Sequence, residues 1–270
     1  MKKYTLILQG GGAKGAYEAG AIKALMEYGI RFDCVCGASI GAINGAVVAQ
    51  GDGEKLVDLW QAIDTDMVFA YDEMFTECRG KSVKELIKKS PTIIKHVLKS
   101  GINVEAGEEF LADNICEDTI RASDINYGLI TVSAQRKEVK VLELFKQDIP
   151  QGKLFDYVCA SAAFPLFRKV VIDGEYFIDG GVYDNLPINM AVNKGYRDII
   201  AIELKGIAPK RKVKSEGVNV ISIVPSVKPG WVLGFTKENI QRALQIGYED
   251  AKAIIAEGVF DEKIGGNYEQ

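Results

Sequence analysis

The sequence predicts an α/β fold in which helices cover a mostly parallel central sheet. Within the first 50 residues, two short apolar runs alternate with two segments of helical periodicity, and each apolar run ends at a group of glycines. A strand followed by a helix and another strand is typical of a parallel sheet with helical crossovers. The 270 residues contain no internal repeat and no low-complexity linker, so a single domain is expected.

The first four elements follow from the spacing of apolar residues and glycines. Residues 4–9 are a short apolar run that stops at Gly10, as expected for a buried strand that ends in a turn. Residues 14–28 carry small and apolar side chains at helical spacing and end at Gly29, a common helix stop. The second strand is predicted at 32–36 and the second helix at 42–49.

The rest of the chain predicts further helices and strands. Residues 54–120 are mostly helical and charged, with Lys81–Lys99 as the clearest amphipathic stretch. Asp173-Gly174 lies between two apolar runs, which is typical of a two-residue hairpin turn. The expected strands are 127–133 and 138–144 with a polar turn at Arg136-Lys137, the hairpin strands 170–172 and 175–178, and then 199–204 and 218–224. The expected helices are 153–163 and 236–257.

Composition and charge exclude several classes of protein. The formal net charge of −4 gives no electrostatic reason to expect a nucleic-acid partner. No apolar run approaches the ~20 residues that span a bilayer, and the first residues lack the pattern of a signal peptide. Five scattered cysteines favour reduced thiols in a cytoplasmic, soluble protein. A single histidine and no Cys/His cluster predict neither a metal site nor a metal cofactor, and the oligomeric state stays open.

The pentapeptide Gly37-Ala38-Ser39-Ile40-Gly41 matches the G-x-S-x-G pattern between a predicted strand and a predicted helix. A direct passage from strand to helix places the serine on a strained bend, and glycines on either side let the two elements approach closely. The helix that follows presents its N-terminal N–H groups to a developing negative charge. This context favours a nucleophile over a simple turn.

A nucleophilic serine needs a base, and the only histidine, His96, is poorly placed for that role. It lies inside a helical stretch, whereas the histidine of a hydrolase triad usually follows the acid near the end of the chain. Asp179 comes at the end of a predicted strand and is followed by Gly180 and Gly181, which permit a sharp turn. Burial beside the serine would strengthen this carboxylate as a base. Asp184, further into the loop, is a weaker alternative.

The segment Gly10-Gly11-Gly12-Ala13-Lys14-Gly15 matches G-x-G-x-x-G and has two interpretations. One is a dinucleotide-binding fingerprint, which requires an acid near the end of the second strand. Asp33 lies at about the right distance but at the start of that strand. The other is an oxyanion hole whose N–H groups point at an intermediate formed on Ser39. Only the second interpretation accounts for both glycine loops, and we favour it.

Together these residues resemble the patatin-like phospholipase family. Its pattern is a G-G-G-x-[KR]-G loop, then G-x-S-x-G, then D-G-[GA], and all three occur here in order at Gly10–Gly15, Gly37–Gly41 and Asp179–Gly181. Ala160–Pro165 and Gly247–Ala251 are similar to stretches of bacterial members. The likeness spans essentially the whole chain, with a core at about residues 4–205 and a C-terminal strand and helix at 218–257 of a single domain, 1–270.

The resemblance implies a three-layer α/β/α fold and a Ser–Asp dyad that cleaves carboxylic esters of phospholipids or related lipids without a metal. By position, Ser39 attacks the ester and Asp179 takes its proton. Gly11 and Gly12, with Gly10, hold the oxyanion. Lys14 fills the basic position of the family, where it orders the loop or meets a phosphate unless it is simply solvated. The remaining motif positions are Gly15, Gly37, Gly41, Gly180 and Gly181.

Three segments bear on a lipid substrate and on contact with a membrane. Met67–Tyr71 with Met74 and Phe75, and Trp231–Phe235, are candidates for the walls of an acyl groove, although such apolar runs more often form core. The basic segment Lys205–Lys214 is a candidate for contact with anionic headgroups, although a solvated loop is the more common outcome. Peripheral membrane contact is therefore left open.

Overall fold

A computed structural model describes residues 3–72, 100–135, 138–206, 208–213 and 216–260. Several sequence features lie outside these residues: His96, the amphipathic stretch Lys81–Lys99, Met74 and Phe75, the turn at Arg136-Lys137, and Lys214.

The described strands form one sheet. They are β1 (Lys3–Leu8), β2 (Arg31–Ala38), β3 (Asn126–Gln135), β4 (Glu138–Phe145), β5 (Val170–Ile172), β6 (Glu175–Asp179), β7 (Asp198–Ile202) and β8 (Asn219–Ile223). The parallel part has the order β3-β2-β1-β7-β8, and β4, β6 and β5 extend it with antiparallel pairs. The predicted mostly parallel α/β fold is confirmed.

Helices lie on both faces of this sheet. They are α1 (Gly15–Glu27), α2 (Ile40–Ala49), α3 (Leu56–Ala62), α4 (Thr65–Val68), α5 (Glu105–Asn114), α6 (Glu117–Ala122), α7 (Leu154–Ser161), α8 (Ile188–Asn193) and α9 (Lys237–Ala256). Short 3-10 helices occur at Gly12–Lys14, Gly53–Lys55 and Gly180–Val182.

Alternation along β1 explains the two layers of helices. Leu6 and Leu8 point into the larger core, which α1, α2 and α9 cover, while Ile7 points to the other face. There it packs with Met190 of α8 in a smaller core. Because successive side chains of a strand face opposite ways, a strand that is apolar throughout must be covered on both sides. The expected three-layer α/β/α arrangement follows.

Local signals set the ends of several elements as predicted. Gly29, with φ 97°, follows α1, and its N–H donates to Met26 O while Ile30 N–H donates to Leu25 O, which ends the helix. Asp173 and Gly174 have φ of 50° and 83°, as a primed hairpin turn requires. The Thr236 hydroxyl caps α9 by accepting a hydrogen bond from Asn239 N–H.

Two helices differ from the prediction. Helix α7 ends at Ser161, two residues before the predicted end, and α8 was not predicted.

The strand β3 brings distant parts of the chain together. One edge of β3 forms hydrogen bonds with β4 along Gly128–Gln135. On the other side, β2 pairs as far as Ala38 opposite Ile130, and β6 approaches from the opposite direction and ends with Asp179 opposite Thr131. The carboxyl ends of β2 and β6 therefore meet head to head at neighbouring residues of β3.

No helix within the described ranges is long and apolar enough to cross a membrane.

Candidate active site

Ser39 forms a sharp elbow between β2 and α2. Its φ of 55° and ψ of −126° are unusual for a residue with a side chain, and such backbone strain costs about 1–3 kcal/mol. Glycines on both sides make the elbow possible, because a Cβ on Gly37 would lie 2.3 Å from the Gly41 carbonyl and one on Gly41 would lie 2.5 Å from Leu8 O. The bend and the close approach that the G-x-S-x-G pattern predicts are both present.

The side chain of Ser161 fixes the backbone of this elbow. Ser161 Oγ accepts a hydrogen bond from Ser39 N–H at 3.1 Å and donates one to Ile130 O at 2.8 Å. The hydroxyl is completely buried, so the hydrogen bonds that it makes to these two backbone groups are shielded from competition by water. Sequence reasoning did not assign a role to Ser161. The only signal was its place in an Ala-Ser-Ala-Ala run that ends before a proline.

Asp179 is the last residue of β6 and lies beside Ser39. Its carboxylate accepts a hydrogen bond from Gly181 N–H at 2.7 Å, and the Ser39 side chain lies close enough to lower its pKa. The Asp179 backbone N–H donates to Ala163 O at 2.9 Å, which ties the end of β6 to the segment after α7. The structure therefore brings together the two side chains that the sequence singled out, although they are 140 positions apart.

Burial changes the acidity of Asp179. Only 5% of the residue is exposed, and this desolvation raises its pKa from the ordinary 3.8 to about 6. The hydrogen bonds from Ser39 and Gly181 act in the opposite direction and lower the pKa. The carboxylate is thus ionised at neutral pH and has a higher proton affinity than a solvated aspartate, as a general base requires.

Asp184, the alternative base, is buried as well but faces other partners. It accepts hydrogen bonds from Leu186 N–H and Arg211 N–H, both at 3.3 Å. Burial raises the pKa of Asp184 to about 6, as it does for Asp179. Ser39 affects the pKa of Asp179 and is not among the groups that affect the pKa of Asp184.

The glycine loop after β1 lies against the elbow, as the pairing of neighbouring parallel strands predicts. Leu8 pairs with Gly37, and a Cβ on Gly10 would lie 3.1 Å from Ser39 Cβ. Gly10 N–H is already engaged, because it donates to Asn185 O at 3.1 Å, while Asn185 Nδ2 donates to Gly10 O at 2.9 Å. Because Gly10 N–H is engaged in this way, Gly11 and Gly12 are the remaining predicted oxyanion donors. Gly12 lines the cavity beside Ser39. Asn185 was missed in the sequence.

One of the alternatives for Lys14, a solvated side chain, is wrong. The side chain is buried, and Nζ donates to Leu204 O and Lys205 O at 3.1 Å each. Burial is the main cause that lowers the pKa of Lys14, followed by the charge of Lys228. Lys14 therefore joins the glycine loop to the end of β7. The next motif residue, Gly15, packs closely against Ile40 and Trp60, where a Cβ would lie 2.5 Å from Ile40 Cγ1.

A cavity of about 140 Å³ opens beside Ser39, and its walls are almost entirely apolar. Val68, Val232, Leu233 and Phe235 line it, so parts of both predicted acyl-groove segments lie there, whereas Phe69 is buried in the core. The other lining residues come from α2, α5, the end of α7 and the segment before β5: Ile40, Ile43, Ile63, Val104, Gly107, Glu108, Phe110, Leu111, Cys159, Ala162, Ala163, Phe164, Phe167, Arg168 and Val170.

Two charged side chains interrupt this apolar wall. Burial is the main cause that raises the pKa of Glu108, which the nearby Arg168 opposes. Arg168 also donates a hydrogen bond to Glu105 at 3.2 Å, with both side chains about half exposed. These charges mark the border of the cavity with solvent, and the space next to Ser39 is suited to hydrocarbon.

The dinucleotide interpretation of the glycine loop finds no support in this geometry. Asp33 accepts a hydrogen bond from Thr5 Oγ1 at 3.2 Å, near the amino ends of β1 and β2. A ribose-binding acid belongs at the carboxyl ends of the strands, the opposite edge of the sheet. In the portion of the chain that the structure describes, no group of three histidine, cysteine or acidic side chains is arranged to hold a metal ion.

An α/β sheet with a serine elbow, a buried aspartate beside the serine and an adjoining apolar cavity is the arrangement typical of the class of serine hydrolases that act on apolar esters. Comparison with known proteins agrees with this class. The sequence model of the patatin-like phospholipase family matches residues 6–192. The chain belongs to the patatin-like phospholipase family.

Relatives support this assignment, and one solved structure has a similar fold. A patatin-like phospholipase domain-containing protein of Caenorhabditis elegans is 27% identical over 244 residues, which are 84% of this chain and 15% of that protein. The lysophospholipase nte1 of Aspergillus terreus is 29% identical over 213 residues, 75% of this chain and 12% of that protein. The chain thus spans less than a fifth of the length of either relative. The crystal structure of VipD from Legionella pneumophila has the same fold, with a TM-score of 0.52 and 16% identity over 95% of this chain and 67% of VipD.

Proposed function

We propose that this chain is a serine lipid acyl hydrolase that cleaves carboxylic ester bonds through an acyl-serine intermediate. One observation carries the proposal: Ser39, held on a strained elbow at the wall of an apolar cavity, lies beside the buried carboxylate of Asp179 and influences its pKa. Buried carboxylates with raised proton affinity are suited to remove a proton from an alcohol. The family assignment and the names of the relatives, which include a lysophospholipase, support a lipid ester as substrate.

The proposed reaction has two halves. Asp179 takes the proton of Ser39 Oγ as this oxygen attacks the ester carbonyl, and Gly11 and Gly12 N–H stabilise the resulting oxyanion. The intermediate collapses, the C–O bond to the alcohol breaks, and the leaving alcohol takes the proton from Asp179. Water then attacks the acyl-serine and gives its proton to Asp179. Collapse of the second intermediate releases the fatty acid and returns that proton to Ser39.

Peripheral contact with membranes from the cytoplasm is part of the same proposal. The loop after β8, residues 224–236, carries the half-exposed Val227 and Trp231, which is 37% exposed, beside Lys228. It lies at the cavity, because Val232, Leu233 and Phe235 line it. The neighbouring loop after β7 adds a basic group formed by Lys205, Lys210, Arg211 and Lys212. Apolar and cationic side chains next to each other suit the surface of an anionic bilayer.

A fluorophosphonate probe tests the proposed nucleophile. We expect the probe to label the wild-type chain and not Ser39→Ala, and we expect only the wild type to hydrolyse p-nitrophenyl esters and lysophospholipid. His96→Ala serves as the matched control, since histidine has no part in the proposed mechanism, and it should retain both labelling and turnover. Labelling of Ser39→Ala at the wild-type rate, or loss of activity in His96→Ala, would refute the assignment.

A further inference from the structure

A second, smaller cavity lies behind the one that borders Ser39. Its volume is about 40 Å³, and its far wall consists of Val47, Leu56, Leu59 and Trp60. The two cavities share five lining residues: Ile40, Ile43, Ile63, Phe110 and Leu111. Because the same side chains face both spaces, the two cavities adjoin each other across these five residues, and we call them the front and the rear chamber.

Two helices form the long walls of both chambers. Ile40, Ile43 and Val47 are at positions i, i+3 and i+7 of α2 and therefore share one face. Gly107, Phe110 and Asn114 have the same spacing on α5. Gly107 borders only the front chamber and Asn114 only the rear one, so α5 runs in the same direction as α2 from the site towards the rear. From Ser39 to Val47 the axis of α2 advances about 12 Å.

Polar contacts join the rear ends of these two walls. At the carboxyl end of α2, Gln50 Nε2 donates to Asn114 O at 2.8 Å, and Cys116 N–H donates to Gln50 Oε1 at 3.0 Å. These bonds fix the end of α5 against the end of α2. Trp60 Nε1 donates to Asn44 Oδ1 at 3.0 Å, so the indole that walls the rear chamber is locked in place. The rear chamber is thus bounded by the fixed indole and by the joined ends of α2 and α5.

We propose that the two chambers form one acyl channel along α2 and α5, whose rear chamber sets the longest straight acyl chain that the site accepts. The inference rests on the proposed function and adds to it a limit on the length and branching of the acyl chain. Phe110 controls passage from the front to the rear chamber, and Leu59 with Val47 forms the end wall.

The size of the effect follows from burial of hydrocarbon. Each methylene group that enters the channel is removed from water, which raises kcat/KM about fourfold per methylene until the rear chamber is full. Branched or bulky acyl groups stop between the two chambers, because interior side chains such as Ile43 and Phe110 leave little free space around a single chain.

The test measures kcat/KM for p-nitrophenyl esters from butyrate to palmitate, below their critical micelle concentrations. In Leu59→Trp the added ring occupies the rear chamber, so long-chain esters should lose tenfold or more while butyrate hydrolysis stays unchanged. In Phe110→Ala the passage between the chambers widens, and the ratio of long-chain to butyrate hydrolysis should rise. Gln61→Trp is the matched control, since residue 61 is exposed on the same helix and lines neither chamber.

The outcomes separate this inference from the proposed function. Absence of ester hydrolysis by the wild type would remove the proposed function itself. Active variants whose chain-length profile equals that of the wild type would overturn the acyl channel alone, as would an equal loss for every ester in Leu59→Trp. Should the tryptophan variant fail to fold, Leu59→Phe gives the same test with less added volume, and Phe110→Ala tests the opposite direction.

Discussion

Replacing Asp179 with asparagine should make the protein more stable and at the same time nearly inactive. The aspartate carboxylate is buried, and burial raises its pKa from 3.8 to about 6. The folded protein therefore holds this proton more tightly than the unfolded chain does. The free energy of unfolding therefore decreases as the pH rises from the pKa of Asp179 in the unfolded chain to its pKa in the folded protein. Above that range the folded protein has to keep a charged carboxylate in a site with little water.

The size of this loss follows from the shift. A change from 3.8 to about 6 corresponds to roughly 3 kcal/mol of unfolding free energy that is present below about pH 4 and absent above about pH 7. Asparagine has the same shape and no charge. Its Oδ1 can accept from Gly181 N–H and its Nδ2 can donate to Ser39 Oγ, so we expect Asp179→Asn to gain about 1–3 kcal/mol near neutral pH.

Urea unfolding of both proteins at a series of pH values measures this difference. The pKa of Asp184 is raised in the same way, but it contributes equally to both proteins and cancels. Asp173→Asn is the matched control: it changes a carboxylate that is 73% exposed in a hairpin turn, and we expect a small change in stability. In the wild type, kcat/KM should rise with pH through about 6, where the base ionises, whereas Asp179→Asn should lose several orders of magnitude in turnover.

A stability difference between Asp179→Asn and the wild type that does not change with pH would show that the carboxylate is solvated. A variant that is less stable than the wild type near neutral pH would show that its charge is stabilised by the fold. Either result would contradict the burial of Asp179, on which its proposed role as a base depends.

Two further predictions concern the support of the site and its approach to lipid. Ser161→Ala leaves Ser39 N–H and Ile130 O without their buried partner, so it should lower stability by about 2–4 kcal/mol and reduce kcat more than it changes KM. Ser133→Ala, which removes a buried hydroxyl of β3 that donates to Glu175, is the control, and an equal loss of kcat in both variants would contradict a positioning role for Ser161. Trp231→Ala should weaken binding to anionic phosphatidylglycerol vesicles in a sedimentation assay while butyrate ester hydrolysis stays unchanged, and equal vesicle binding by both proteins would exclude this loop as the contact.

Much of the fold could be predicted from the sequence because local signals agreed with the final structure. The glycines after β1, at the elbow and in the turn at Asp173-Gly174 each occupy a place where only a small or flexible residue fits. Alternation of strands and helices then gave the parallel sheet. Helix α8 was missed because its six residues are too few to show a clear helical period.

The motif residues of the candidate site could be predicted from the sequence, but the residues that hold them in position could not. Ser39 and Asp179 have glycines within two residues, which marks them in the sequence, whereas Ser161 and Asn185 act through long-range hydrogen bonds to backbone groups. Nothing local distinguishes a serine that fixes an elbow from one on a helix surface. Likewise, the engagement of Gly10 N–H by Asn185 O joins positions 175 residues apart, and only the folded structure shows it.

The head-to-head meeting of β2 and β6 on β3 has a consequence during synthesis of the protein. A ribosome completes the serine elbow long before it reaches Asp179, and the proposed base takes its place only after β3 has paired with both strands. Under the proposed mechanism, a nascent chain therefore carries a nucleophile without its proton acceptor. Ester hydrolysis by this mechanism would begin only when the long-range pairing is complete.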